Sequence, residues 1–264
     1  GKYLYRTSAR LEDQLADGSA GPGSSVLVCP QRRFAFSAVP RADGLSHLRY
    51  LVREPVPDVV IERDVGNPPP FLQGYARHCE REMLHPELGR RYRQRRSRMH
   101  LLKGVPGTGK SFSILAFWNR MYAIMSSVTG VPVEELPYRV LRLEPGGVLD
   151  RWVGSSERNI ARFLDEIAEL AATPFVGPDG KEHELPVLVI AEEIDALARE
   201  RGGDAIHDRI QSTLLTRLDS NLATYADRLV MFLFTTNTPQ LVDPAFLPRA
   251  GGGSTTFDRM DRAT

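Results

Sequence analysis

Hydrophobic residues change their spacing several times along the chain, and each change marks a new element. Up to about Pro57 the apolar runs are short and β-branched or aromatic, as in "SSVLVCP" and "RFAFSAVP", with Gly, Pro and charged turns between them. This part reads as β-rich. "LADGSAGPGSS" is a turn-rich connector, and the proline-punctuated "REPVPDVVIERDVGNPPP" (Arg53 to Pro70) is expected to run extended as a linker. The period then becomes helical in "FLQGYARHCEREMLHPEL". From there strands and helices alternate: strand "MHLL", helix "SFSILAFWNRMYAIM", strand "YRVLRLE", helix "SERNIARFLDEIAELAA", strand "PVLVIAEE", a further helix, and strand "LVMFLFTTN". Such alternation predicts an α/β fold, a parallel sheet flanked by helices on both faces. No internal repeat is present.

Composition narrows the functional classes. The 264 residues carry a formal net charge of +1 and 42% hydrophobic residues, as expected of a soluble globular protein with a sizeable core. A near-neutral balance gives no whole-chain argument for nucleic acid or membrane. The only cysteines are Cys29 and Cys79, without a CxxC, so neither a disulfide framework nor a zinc site is suggested, and a reducing cytoplasm is the expected location. The six histidines show no ligand spacing such as HExxH. No apolar run is long enough to span a bilayer, and no signal peptide opens the chain. A first residue of Gly rather than Met suggests a fragment, or a start that lies elsewhere. The one basic run, "GRRYRQRRSRMH" (Gly89 to His100), interleaves Tyr92 with arginines. It is read as a solvated loop, a helix end or a surface facing a neighbouring subunit, and nucleic acid is not expected.

Candidate chemistry concentrates at three strand ends. Gly104, Gly109, Lys110 and Ser111 fill G-x-x-x-x-G-K-[ST], between an apolar strand and a helix. Glycines let backbone N–H groups converge on a polyphosphate, Lys110 would reach the β- and γ-phosphates, and the Ser111 hydroxyl would take one Mg²⁺ position. The alternative for this stretch is a bare glycine-rich turn. "VLVIAEEIDAL" puts two acids at the end of an apolar strand, and alternation would send them to opposite faces. Glu192 would face the metal and Glu193 would polarise the attacking water; two solvated helix-start acids are the bland reading. Asn237, ending "FLFTTN", would lie between the other strand ends and hold the water or the γ-phosphate, although Asn before Thr-Pro is also an ordinary turn residue.

Taken together, "GVPGTGKS", "VIAEEIDAL", "TTNTPQLVDPAFLPR" and "RWVGSSERNI" resemble the Walker A, Walker B, sensor 1 with arginine segment, and pore loop of AAA+ ATPases. The resemblance covers roughly Val59 to the end. The preceding "LVREPVPDVVIERDVGNPPPFLQ", with its Asp64-Val65-Gly66-Asn67 turn, resembles the entry segment of the proteasome-activating, proteasome-associated subgroup. "LEDQLADGSAGPGSSVLVCPQRRFAFSAVP" resembles the back half of the small OB barrel that these ATPases carry in front. The expected domains are therefore a partial OB-like β domain with linker over 1–56 and an AAA+ large α/β subdomain over 57–264.

The resemblance implies a homo-hexameric ring that uses ATP and Mg²⁺ to thread a polypeptide substrate through its pore, with a proteasome-like protease as a partner. Nucleotide contacts are implied for Val65, for Gly104, Pro106, Gly107 and Thr108, and for Gly109, Lys110, Ser111 and Phe112. Metal contacts fall to Ser111 and Glu192, catalysis to Glu193, Asn237 and the arginine finger Arg249, and substrate gripping to Trp152 with Val153. An exposed aromatic on such a loop makes sense if it grips something apolar; its alternative is a core anchor for the following helix. Three departures stand out. Glu192 occupies the family's Asp position and is one methylene longer. "PRAGGGSTTFDRM" is longer and richer in glycine than the usual segment, leaving Arg249 and Arg259 both open as the finger. The sequence stops at Thr264, where the family's helical lid would begin, so the lid is expected to be absent from the chain and no second sensor is assigned. The competing functions are a remodeller of protein complexes that works without a protease, and an ATP-binding ring scaffold with weak hydrolysis.

Overall fold

Five parallel strands form the centre of the larger of two units in the computed structural model, which describes residues 5–16, 26–29, 33–38, 45, 47–91, 96–143, 155–178, 180–196, 228–244 and 253–258. The units are Gly1–Arg49 and Tyr50–Thr264.

In the first unit, β1 (Arg6–Thr7) runs parallel to β3 (Phe34–Ala38), and β2 (Val26–Cys29) pairs antiparallel with β3 through a register shift at Leu27/Val28. Between β1 and β2 lies helix α1 (Ala9–Ala16), which the β-rich reading of this region did not anticipate. Its signal is a local one. The Ser8 hydroxyl accepts the Leu11 N–H at 3.1 Å, a side-chain cap, and Leu11 is the helix's buried residue. Among the described residues these strands make a three-stranded sheet and no closed barrel.

The second unit begins with a segment that covers a sheet edge. Val52 N–H donates to the Val140 carbonyl and Arg142 N–H to the Tyr50 carbonyl, so residues 50–52 lie antiparallel on the outer side of β5 (Val140–Leu143). The chain then runs extended to Val60, where the expected linker closes instead into one helical turn, α2 (Ile61–Asp64). The Asp64 carboxylate accepts the Val60 N–H at 2.8 Å and buried Ile61 ties the turn to the core, which outweighs the extended preference of the flanking prolines. Helix α3 (Pro70–Leu84) starts with proline at its first position, where no N–H is needed, and α4 (Pro86–Arg91) follows.

The sheet order is β10–β4–β9–β8–β5, parallel throughout, with β4 Arg98–Lys103, β8 Val187–Ala191, β9 Val230–Thr236 and β10 Gly253–Thr256. All residues of β8 and β9 are buried, consistent with strands covered on both faces. Helices α5 (Lys110–Thr129) and α6 (Ser155–Ala172) flank the sheet, and Phe117, Met121 and Met125 of α5 join Leu102, Ile190 and Leu233 in one core. A small hairpin, β6 (Phe175–Val176) with β7 (Glu182–His183), precedes β8. β10 is drawn from the glycine-rich segment "PRAGGGSTTFDRM"; its Gly253–Thr256 pairs with His100–Lys103.

The basic run is not wholly a solvated surface. Arg96 is 1% exposed, donates from Nε to Glu82 at 2.9 Å, and forms an ion pair with Glu184. It joins α3 to the approach to β8, which is the work of a buried guanidinium with matched carboxylates.

His100 on β4 stacks on Phe71 with ring centroids 4.1 Å apart, meets Tyr75 edge-on, and places Nε2 2.8 Å from the Thr255 hydroxyl of β10. Burial pushes its pKa from 6.5 down to about 4. The unfolded chain therefore takes up this proton more readily than the folded one, so folding stability falls as pH drops from 6.5 towards 4. NMR titration of the His100 ring is expected to show a midpoint near 4, with the urea midpoint falling across the same window. An ordinary midpoint would contradict the packing described for β4 and β10.

Candidate active site

The register places three chain turns at one edge of the sheet. β9 lies between β4 and β8, pairing Lys103 with Thr236 and Ala191 with Phe234. The loop after Lys103 and the acids after Ala191 therefore leave the sheet about 10 Å apart, two interstrand spacings, with Asn237 leaving between them. This is the carboxyl edge, where parallel sheets bind ligands.

The loop from Gly104 to Gly109 has the backbone expected of a phosphate cradle. Gly104, Gly107 and Gly109 have φ of 148°, 81° and 91°, in the region where glycine carries no Cβ penalty. At Gly104 the need is also steric: a Cβ would overlap the Phe257 carbonyl at the end of β10. Gly104 N–H donates to the Thr236 carbonyl at 3.3 Å and Phe257 N–H to the Lys103 carbonyl at 2.7 Å, so the loop starts between the exits of β9 and β10. Helix α5 follows for 20 residues, and Gly109 at its N-cap offers no side-chain cap to the first-turn N–H groups. Uncapped N–H groups and the helix dipole suit an anion.

Lys110 is 6% exposed, and its ammonium donates to the Gly104 carbonyl at 2.6 Å and the Val105 carbonyl at 2.8 Å. Burial lowers its pKa. Thr108 braces the loop through a 2.9 Å hydrogen bond to the Val105 carbonyl, while Pro106, Ser111 and Phe112 face outwards. Val65, at the end of α2, is half-buried and packs against the core that contains α5.

The acid pair departs from the strand-alternation argument. β8 ends at Ala191, so Glu192 and Glu193 lie beyond it in a bend, the first half-buried and the second exposed. Glu193 has φ of 53°, a left-handed conformation that costs a residue with a Cβ about 1–3 kcal/mol and tends to accumulate at functional sites. Its N–H donates to the Thr235 hydroxyl at 3.1 Å, and its carboxylate lies 3.4 Å from Asn237 Nδ2. The two acids are thus separated by a turn of the backbone, not by the pleat of a strand.

Sequence reasoning missed the residues that hold this turn. Asp195 accepts hydrogen bonds from the hydroxyls of Thr236 and Thr238, each at 2.7 Å, across the gap between the exits of β8 and β9. The available signal was three threonines bracketing Asn237 and a third acid two positions after the pair. Trp152 and Val153, Arg249 and Arg259, and the helix expected after the acid pair fall outside the described residues.

A hydroxyl and a carboxylate are hard oxygen donors that suit Mg²⁺, which normally takes one or two protein ligands and fills its shell with phosphate oxygens and water. Ser111 and Glu192 fit that requirement. Among the described residues no group of three His, Cys, Asp or Glu side chains forms a self-sufficient metal cage, and no helix is long and apolar enough to cross a membrane.

Comparison with known proteins agrees with this geometry. The sequence pattern of the "ATPase family associated with various cellular activities (AAA)" matches residues 100–252. A "Proteasome-associated ATPase" of Mycobacterium leprae is 30% identical over 238 residues, covering 90% of this chain and 36% of that protein. Proteins of the same name from Saccharomonospora viridis and Acidothermus cellulolyticus are 29% and 28% identical over the same length. The chain spans little more than a third of these relatives, 36% and 38% of the last two. With the matched pattern covering more than half of its residues and a phosphate cradle, acid turn and asparagine at one sheet edge, the chain belongs to the AAA family of ATPases.

Proposed function

We propose that the protein is an ATP-hydrolysing motor of the proteasome-activating kind, which assembles as a homo-hexameric ring and threads polypeptide through its pore into a proteasome-like protease. The observation that carries the ATPase reading is the gathering of the Lys110 loop, the Glu193 turn and Asn237 at three adjacent strand ends. The threading reading leans on the relatives' name and on the aromatic segment "RWVGSS" ahead of α6. A cytoplasmic location goes with it.

In this reading the loop N–H groups and the start of α5 bind the triphosphate, while Val65 and Phe112 border the nucleotide. Lys110 leaves the Gly104 and Val105 carbonyls and transfers its hydrogen bonds to β- and γ-phosphate oxygens. Ser111 and Glu192 are the residues that would hold Mg²⁺, which supplies charge neutralisation at the phosphate oxygens. Glu193 takes the proton of the attacking water and Asn237 orients that water or the γ-phosphate. Arg249 of a neighbouring subunit supplies positive charge as the bond to the leaving phosphate breaks. Trp152 and Val153 grip the polypeptide.

Replacing Lys110 with Ala is expected to abolish ATP binding, whereas Glu193→Gln should retain ATP with hydrolysis reduced at least about a hundredfold. Phosphate release and nucleotide retention by the full-length chain measure both. Normal turnover in Glu193→Gln would move the water-activating role to Glu192, and a wild-type chain without turnover would favour the scaffold reading.

Trp152→Ala should leave ATPase activity in place while unfolding of a folded test protein is lost. Failure of that variant to fold would make Trp152 a core anchor. Mixing Arg249→Ala with Lys110→Ala subunits, each inactive alone, should restore part of the ATPase activity through shared sites, since a finger supplied in trans is worth about 10³–10⁵ in rate. Complementation by Arg259→Ala in its place would assign the finger to Arg259.

A further inference from the structure

Beyond the last paired residues of β8 and β9, Ala191 and Phe234, the two chains are no longer joined by a ladder. Side chains take over. Asp195, in the single 3₁₀ turn Ile194–Ala196, accepts the Thr236 hydroxyl on Oδ1 and the Thr238 hydroxyl on Oδ2, both at 2.7 Å. Thr236 is fully buried, and its oxygen also accepts the Thr238 N–H at 3.1 Å. The third hydroxyl, on Thr235, accepts the Glu193 N–H at 3.1 Å.

The order of these contacts matters. Thr236 and Thr238 are the two neighbours of Asn237, so one carboxylate holds the chain on both sides of that residue. Glu193 lies two positions before Asp195, in a left-handed conformation that an unconstrained glutamate would leave. Its N–H is fixed by the residue before Thr236. The Asp195–threonine contacts therefore bear directly on the 3.4 Å separation of Glu193 Oε1 and Asn237 Nδ2, which lies past the end of the β8–β9 ladder. Hydroxyl-to-carboxylate hydrogen bonds are charge-assisted and short, which suits them to fixing a distance.

The geometry points to Asp195 as a positioning residue for ATP hydrolysis: by clamping Thr236 and Thr238 it sets where Asn237 stands relative to Glu193. The inference deepens the proposed function and rests on its assignment of Glu193 to water activation. Asp195 acts through Asn237 and the Glu193 turn and needs no contact with nucleotide. Its effect belongs in the rate of the chemical step, because displacement of a catalytic group by about 1 Å can cost up to about a hundredfold. Nucleotide affinity, set by the glycine loop and Lys110, lies outside its reach.

The test compares Asp195→Ala, Thr238→Val and Thr238→Ser in the full-length chain, with kcat and KM for ATP, and the dissociation constant of a fluorescent ATP analogue. Asp195→Ala and Thr238→Val are expected to lower kcat about tenfold to a hundredfold. The analogue's dissociation constant should stay within about twofold, the span left by additive, independent sites. Thr238→Ser, which keeps the hydroxyl, should recover most of the lost kcat. Unchanged kcat, a loss of kcat matched by an equal loss of affinity, or no recovery in Thr238→Ser would overturn the inference. Should Asp195→Ala fail to fold, the threonine pair decides it alone. Glu193→Gln separates the two levels. Normal turnover there overturns the reading beneath and the inference with it. Lost turnover there, beside intact turnover in the Asp195 and Thr238 variants, overturns the inference only.

Discussion

The parallel register of β9 between β4 and β8 is the constraint on which the site depends. A strand in that position must satisfy its backbone on both sides and bury both faces, and "VMFLFTT" does so with every residue buried. Once it is paired, the glycine loop, the acid turn and Asn237 have no choice of edge. The Gly104 N–H bonded to the Thr236 carbonyl extends the β4–β9 ladder one residue into the loop itself. Backbone pairing brings the glycine loop, the acid turn and Asn237 to one edge of the sheet.

Short-range side-chain contacts then refine what the ladder leaves loose. The Gly104 position has no room for a Cβ because the Phe257 carbonyl occupies it, which ties the phosphate loop to β10. Strain at Glu193 has the complementary meaning: a conformation that costs free energy persists because Thr235 and the Asp195 contacts around it hold the turn.

Much of this was legible in the sequence where the signal was periodic or had a fixed spacing. The apolar runs around Met99, Val189 and Phe232 are strands, the long run after Ser111 is a helix, and the glycine loop sits between a strand and that helix. What escaped was set by contacts that no local pattern encodes. The left-handed turn at Glu193 depends on a threonine 42 residues later. β10 is poor in strand formers at Gly253 and forms because β4 offers an unpaired edge, with His100 packed beneath it. Helix α2 interrupts a segment rich in proline because Asp64 turns back on the Val60 N–H. Arg96, one of six arginines in the run from Gly89 to His100, is buried because Glu82 and Glu184 meet it from elsewhere in the chain.

The central claim is that these three strand ends make one nucleotide site. A structure of the full-length chain with Mg²⁺ and a non-hydrolysable ATP analogue tests it most directly. The account predicts that Lys110 Nζ has left the Gly104 and Val105 carbonyls for phosphate oxygens, with Glu193 and Asn237 both facing the γ-phosphate and the Asp195–threonine contacts intact. Nucleotide bound with Lys110 still on the loop carbonyls, or with the Glu193 turn directed away from the γ-phosphate, would contradict it.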